Sequence, residues 1–253
     1  MTTFTKQKLT FEQFLEQCPE EGFYELVNGE IVEVRSTRNH DDVANLLLFA
    51  FNDEIRRLNL NYVVNNTAVF KTRTAEGIEQ GRKPDVSVIN KDIWRANRNA
   101  YSALEEPIQL AVEVTSTNWE DDYIDKLDEK LHPQGDGVFG HWELGIGHGK
   151  ENTNALCPMP QAAGRTTSST HKGMEFPAAF NEYQRLGIKE YWIVDYLAIG
   201  LREYLGNPKV QTVFVFLLDA NGKYQRTQFR GAEIIVSATF PELTLTAEQV
   251  LTA

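Results

Sequence analysis

The chain has 253 residues, 42% of them hydrophobic and 24% charged, enough apolar content to fill a core and too much for wholesale disorder. No run of about 18 apolar residues suggests a membrane span, and MTTFTKQKLTFEQF lacks the apolar stretch of a secretory signal. The two cysteines, Cys18 and Cys157, have neither disulfide-framework nor metal spacing, and the formal charge of −11 excludes global electrostatic attraction to nucleic acid. A cytoplasmic protein is the simplest reading.

In chain order, residues 8–17 predict a short helix capped by Thr10, with Gln13 at capping-box spacing. Residues 22–35 predict a hairpin turning at Asn28-Gly29. Residues 40–58 keep a 3.6-residue apolar period and predict a long amphipathic helix. Residues 61–71 and 85–90 predict strands, and IQLAVEVT (108–115) predicts a strand buried on both faces. After a helix-prone stretch ending at Glu129, the pattern resumes with YQRLG as a helix end stopped by Gly187. Strands are expected at 190–196, 202–205, 212–219 and 223–230, with a turn at Asn221-Gly222 and a last helix at TAEQVL.

Residues 130–182 break the pattern. They hold 8 of the 17 glycines and 4 of the 5 histidines, and no apolar period survives. Joining Glu129 to Tyr183 restores one amphipathic helix between two strands, a normal βαβ unit. The expectation is therefore a single domain, 1–129 plus 183–253, carrying an acquired low-structure insertion at 130–182. Its G-x-G-x-x-G at 135–140 lacks a preceding strand, and its histidines are too irregularly spaced for a zinc site.

Residues 1–129 hold 24 acidic and 14 basic side chains, so a carboxylate site belongs in the first half. Asp85 begins one strand and Glu113 lies near the end of the next long one. Aligned on adjacent strands, they could share a hard divalent cation that keeps several waters. Taken singly, Asp85 reads equally as a turn residue and Glu113 as the partner of a nearby cation. Lys126, thirteen residues after Glu113, could lean back from the following helix to orient an attacking water. It reads equally as a solvent-facing lysine paired with Asp122 or Asp125.

Four segments carry a resemblance: LTFEQFLEQCPEEGFYELVNGEIVEV, GRKPDVSVI, VEVTSTNWEDDYIDKLDE and YQRLGIKEYWIVD. Together they resemble the Uma-two branch of bacterial endonucleases in the PD-(D/E)XK superfamily, over residues 8–129 and 183–251. The resemblance implies an α/β, restriction-endonuclease-like fold: a mixed sheet flanked by helices, with an N-terminal helix and hairpin. It implies a nuclease hydrolysing phosphodiester bonds with Mg²⁺ or Mn²⁺, and DNA as partner. Asp85 and Glu113 take the acidic positions, with the Val114 carbonyl as a third ligand. The superfamily's lysine position holds Thr115, and its function falls to Lys126. Glu25 and His40 are implied near the site, Glu25 as a water-mediated carboxylate and His40 for phosphate contact or proton transfer.

Arg35, Arg38, Arg82 and Lys83, with Lys71 and Arg73, could grip phosphates locally. The competing reading is a catalytically impaired nucleic-acid-binding or dimerising protein on the same scaffold, a homodimer being compatible with either.

Overall fold

The computed structural model describes residues 8–116 and 178–253. Helix α1 (Phe11–Gln17) starts at Thr10, whose hydroxyl accepts from the Gln13 amide while the Gln13 side chain accepts from the Thr10 amide. Strands β1 (Tyr24–Val27) and β2 (Glu30–Glu33) form the expected hairpin. Asn28 and Gly29 both take positive φ, 51° and 85°, as a tight turn of this type requires. A Cβ at Gly29 would lie 2.4 Å from the Lys8 Cβ, and the Leu9 amide donates to the Gly29 carbonyl. The segment leading into α1 thus presses against the hairpin's tip.

Helix α2 (Arg38–Arg57) begins two residues earlier than its apolar period, capped by Thr37. The strand expected at 61–71 is two strands in different sheets, β3 (Tyr62–Asn65) and β4 (Val69–Arg73). The Asn65 carboxamide accepts from the Thr67 and Ala68 amides, giving the backbone a turn in place of a ladder. Strand β5 (Glu79–Arg82) has no apolar alternation and was not expected. Then come β6 (Val86–Asn90), α3 (Lys91–Arg95), β7 (Ala103–Leu104) and β8 (Leu110–Val114).

From residue 178 onward lie α4 (Ala178–Leu186), β9 (Glu190–Asp195), α5 (Arg202–Leu205), β10 (Thr212–Leu218), β11 (Tyr224–Phe229) and α6 (Ala247–Leu251). REYL is therefore a helical turn, not the strand expected from its β-prone residues; only Leu205 of it is fully buried.

The strands make two mixed sheets flanked by helices. One has five strands in the order β2-β1-β5-β4-β7; the other has six, β11-β10-β9-β8-β6-β3. In the larger sheet β8 and β9 run parallel, Leu110 beside Glu190 and Val114 beside Val194. Its remaining pairs are antiparallel. A parallel pair needs a crossover, and α4 arrives from it.

Alternation along these strands divides the core. Val86, Val88, Val112 and Val114 face Val43, Leu47, Phe51 and Ile55 of α2 and Val250 of α6. Ile89, Ala111, Tyr191 and Ile193 lie in a second cluster with Tyr183 and Ala179 of α4 and Phe70 of β4. Burying one such large apolar side chain contributes about 1.5–3 kcal/mol.

One ion pair ties β5 to α4. The buried Arg82 guanidinium donates from Nε and a terminal nitrogen to the two Glu182 oxygens, at 2.8 and 2.9 Å. Thr72 donates to Glu182 at 2.7 Å. Burial alone would disfavour the arginine's charge; Glu182 and then Glu25 more than restore it. Residues 178–182, assigned to the excursion from sequence, are thus the start of α4, and Ala179 and Glu182 are buried in the body.

Removing one partner of a buried pair costs about 3–5 kcal/mol, because the other charge stays behind uncompensated. Urea unfolding of Glu182→Ala should show a loss of that size. A loss below about 1 kcal/mol would mean the pair behaves as a solvent-exposed one.

Candidate active site

Pro84-Asp85 leads directly into β6, and Val86 pairs with Val112 on β8, one residue before Glu113. The Asp85 amide donates to the Val112 carbonyl at 3.0 Å. One Asp85 oxygen, Oδ2, accepts from the Val114 amide at 2.7 Å and lies 3.1 Å from His40 Nε2. The other, Oδ1, has no hydrogen-bond partner among the described residues. Asp85 is therefore anchored through one oxygen, with the other to spare.

His40 occupies the first turn of α2 and is buried. Burial works against its charged form, but Asp85, with help from Asp41, outweighs this and raises its pKa above the usual 6.5. Its observed neighbours are carboxylates; it acts here on Asp85.

Glu113 sits in an otherwise apolar strand and is itself partly buried. Tyr183, fully buried on α4, donates its hydroxyl to Glu113 Oε1 at 2.7 Å. Burial, then the charges of Asp85 and Glu25, push the Glu113 carboxyl well above its usual range, against the opposing pull of Tyr183 and Lys83. The charges of Asp85, Glu25 and Lys83 thus act on Glu113. Burial and Glu113 likewise raise the Tyr183 phenol. On the same face, Ser87, Ala111 and Tyr191 form the adjacent cross-strand row. The Ser87 and Tyr191 hydroxyls there are buried without a hydrogen-bond partner among the described residues.

Glu25, on β1, is tied down at both oxygens. Oε1 accepts from the Lys83 amide at 2.9 Å, and Oε2 from Arg82 at 3.2 Å. Arg82 itself is not the phosphate-gripping surface cation expected from sequence, because its guanidinium is buried and engaged with two carboxylates. Arg35 is exposed and paired with Glu33 at 2.8 Å. Arg38 is exposed at the start of α2, and Lys83 is partly exposed beside Asp85. Thr115 donates to the Val194 carbonyl and to Asp195, which occupies its hydroxyl on the neighbouring strand. Lys126, Asp122 and the motifs at 130–177 lie outside the described residues.

Asp85 and Glu113 are the pair that could hold a divalent cation. No group of three or more His, Cys, Asp or Glu suited to a metal is present among the described residues. Two carboxylates with remaining positions left to water or carbonyl suit Mg²⁺, which rarely takes an all-protein cage. The donor set fits in charge too, since a cation would offset the burial and the neighbouring charges of Asp85 and Glu25 that raise the Glu113 pKa. Val114 contributes its amide to Asp85, and its carbonyl remains a candidate ligand.

Sequence reasoning missed Tyr183 and Glu182. Both were visible as polar or amphipathic residues near a helix end, but their partners lie 70 and 100 positions away. No local spacing encodes such contacts.

The sequence profile of the Uma2 family, described as "Putative restriction endonuclease", matches residues 11–129 and 165–248. Among curated proteins none matches. A crystal structure from Anabaena variabilis, described as a putative nuclease belonging to DUF820, superposes with a TM-score of 0.56 at 12% identity. The alignment covers 96% of this chain and 98% of that one, and at this identity it shows a shared fold. The chain belongs to the Uma2 family.

Glu113 generates a stability prediction. A carboxyl with a raised folded pKa binds its proton more tightly when folded. That contribution is complete below the ordinary value of 4.5 and is lost as pH rises through the folded value. Glu113→Gln is neutral at every pH and can still accept from Tyr183. It should be more stable than wild type in urea at about pH 7.5 and no more stable at about pH 4. A destabilised variant at the higher pH would show that the Glu113 anion is favoured by the fold.

Proposed function

We propose that this chain is a metal-dependent endonuclease hydrolysing phosphodiester bonds in DNA, with Asp85 and Glu113 as the metal-holding carboxylates. The observation that carries the reading is this carboxylate pair, whose burial raises the Glu113 pKa and whose members are oriented by the Val114 amide and the Tyr183 hydroxyl. Family membership and the nuclease-like fold of the structural neighbour support the reaction class. No helix among the described residues is long and apolar enough to cross a membrane.

The chain's own groups have distinct parts. The Val114 amide and His40 fix the Asp85 carboxylate, leaving its second oxygen for the ion. Tyr183 fixes Glu113 from behind. Glu25, held by Arg82 and the Lys83 amide, adds negative charge at the rim and reaches an ion through water. Lys126 orients the attacking water and balances charge as the phosphodiester is attacked. A bound Mg²⁺ or Mn²⁺ would supply a more acidic water and polarise the phosphate.

Calorimetric titration of Mn²⁺ should give binding to wild type and none to Asp85→Ala. Equal binding would remove Asp85 from the site. Because a cation binds the ionised carboxylate and the Glu113 pKa is raised, wild-type affinity should rise with pH. Incubation with mixed DNA and RNA, with and without metal, tests the activity and the substrate class. Lys126→Ala should keep Mn²⁺ affinity and lose cleavage by about 10²–10⁴-fold. A wild-type rate would make Lys126 a surface residue.

A further inference from the structure

A polyanion approaching two carboxylates on a chain of net charge −11 needs a local cation. The cations near the motifs are mostly committed. Arg82 is enclosed by Glu182 and Glu25, the exposed Arg35 is paired with Glu33, and Lys71 lies between Glu79 and Glu105. Arg73 is taken by Glu79.

Lys83 differs. No carboxylate lies within ion-pairing distance of its ammonium among the described residues. The ammonium rests instead over the Phe23 ring, 4.6 Å from the centroid, and that ring is 49% exposed. Phe23 stands two residues before Glu25, at the head of the strand that carries that carboxylate.

The root of the lysine is fixed even though its head is unpaired. Its amide donates to Glu25 Oε1 at 2.9 Å. Pro84 follows and restricts the Lys83 backbone to extended conformations. Asp85 comes one residue later. The backbone from which the ammonium extends is thus held between Glu25 and Asp85, and the charge is felt by Glu113. A cation–π contact open to water is weak enough to be exchanged for a phosphate.

We propose that Lys83 and Phe23 form a phosphate-binding subsite beside Asp85 and Glu113, in which the Lys83 ammonium, parked on the Phe23 ring, receives one phosphodiester of the nucleic-acid substrate. The inference rests on the nuclease reading and deepens it. It assigns the substrate-gripping role to one lysine at the PD motif and withdraws it from the buried Arg82. Contact with a phosphate reads no base, so this subsite adds affinity without sequence preference.

The test uses the full chain with Ca²⁺ as the probe metal and a fluorescent DNA duplex, followed by anisotropy over a salt series. Lys83→Met keeps the apolar stem on Phe23 and removes the charge. It should weaken binding similarly across unrelated duplexes and reduce the slope of log affinity against log salt by about 0.9, the loss of one phosphate contact. Lys83→Arg should restore most of the affinity. Mn²⁺ affinity, measured separately by calorimetry, should be unchanged or tighter in Lys83→Met, since a like charge has left the carboxylates.

With Mn²⁺ present, Lys83→Met should raise KM more than it lowers kcat. Wild-type affinity and slope in Lys83→Met would overturn the subsite while leaving the nuclease reading intact. Wild-type protein that neither binds nor cleaves nucleic acid would overturn that reading, and the subsite with it. Lost Mn²⁺ binding in Lys83→Met would show that Lys83 is structural, and would also overturn the proposal.

Discussion

Carboxylates brought together at the end of an apolar sheet repel one another, and the polar side chains around them contain that repulsion. Asp85 is caught by a backbone amide and an imidazole, Glu113 by a buried phenol, and Glu25 by a guanidinium and a second amide. Each partner comes from a different element: β8, α2, α4, β5 and the turn after it. The site is therefore a convergence of the whole fold on a few oxygens. Such groups are tolerated because they are hydrogen-bonded, and Glu113 also because it can keep a proton.

The larger sheet makes this convergence possible. β6 and β8 set Asp85 beside Glu113, and the parallel β8–β9 pair requires the chain to leave and return on a crossover. The returning helix places Glu182 and Tyr183 side by side in sequence, where they serve different carboxylates. Glu182 acts through Arg82 on Glu25, and Tyr183 acts directly on Glu113. The described end of the crossover thus supplies two of the residues that hold these carboxylates in place.

Much of this architecture was legible in the sequence because local chemistry specifies it. Thr10 with Gln13, Asn28 with Gly29, and Thr246 with Gln249 announce caps and turns through side chains three residues apart or less. The apolar run of β8 and the periodicity of α2 announce burial. β5 was invisible because EQGR has no apolar face. It earns its place through packing, with Gly81 so close to Phe11, Leu26 and Val69 that a Cβ would stand 3.1–3.2 Å from each. Asp85, Glu113 and His40 were found as candidates by residue type and resemblance. The groups that hold Glu113 and Glu25 in place were not, since long-range contacts leave no spacing to read. The second sheet and the break at Asn65 escaped for a related reason: one side-chain amide, capturing two backbone amides, redirects a chain whose composition still reads as strand.

The contact between Lys8 and the hairpin tip has a mechanical consequence. Glu25 stands four residues from Gly29 on a strand whose far end is pinned by the incoming N-terminal segment, through the Leu9 amide and the close approach of Lys8. The hairpin works as a lever held at its tip, with a carboxylate along its arm. A side chain at position 29 would stand 2.4 Å from the Lys8 Cβ and so force the two segments apart at the tip, without altering a residue of the site. Glu25, held at its oxygens by Arg82 and the Lys83 amide, is thereby also anchored through its strand to a stretch of chain that contributes no functional group.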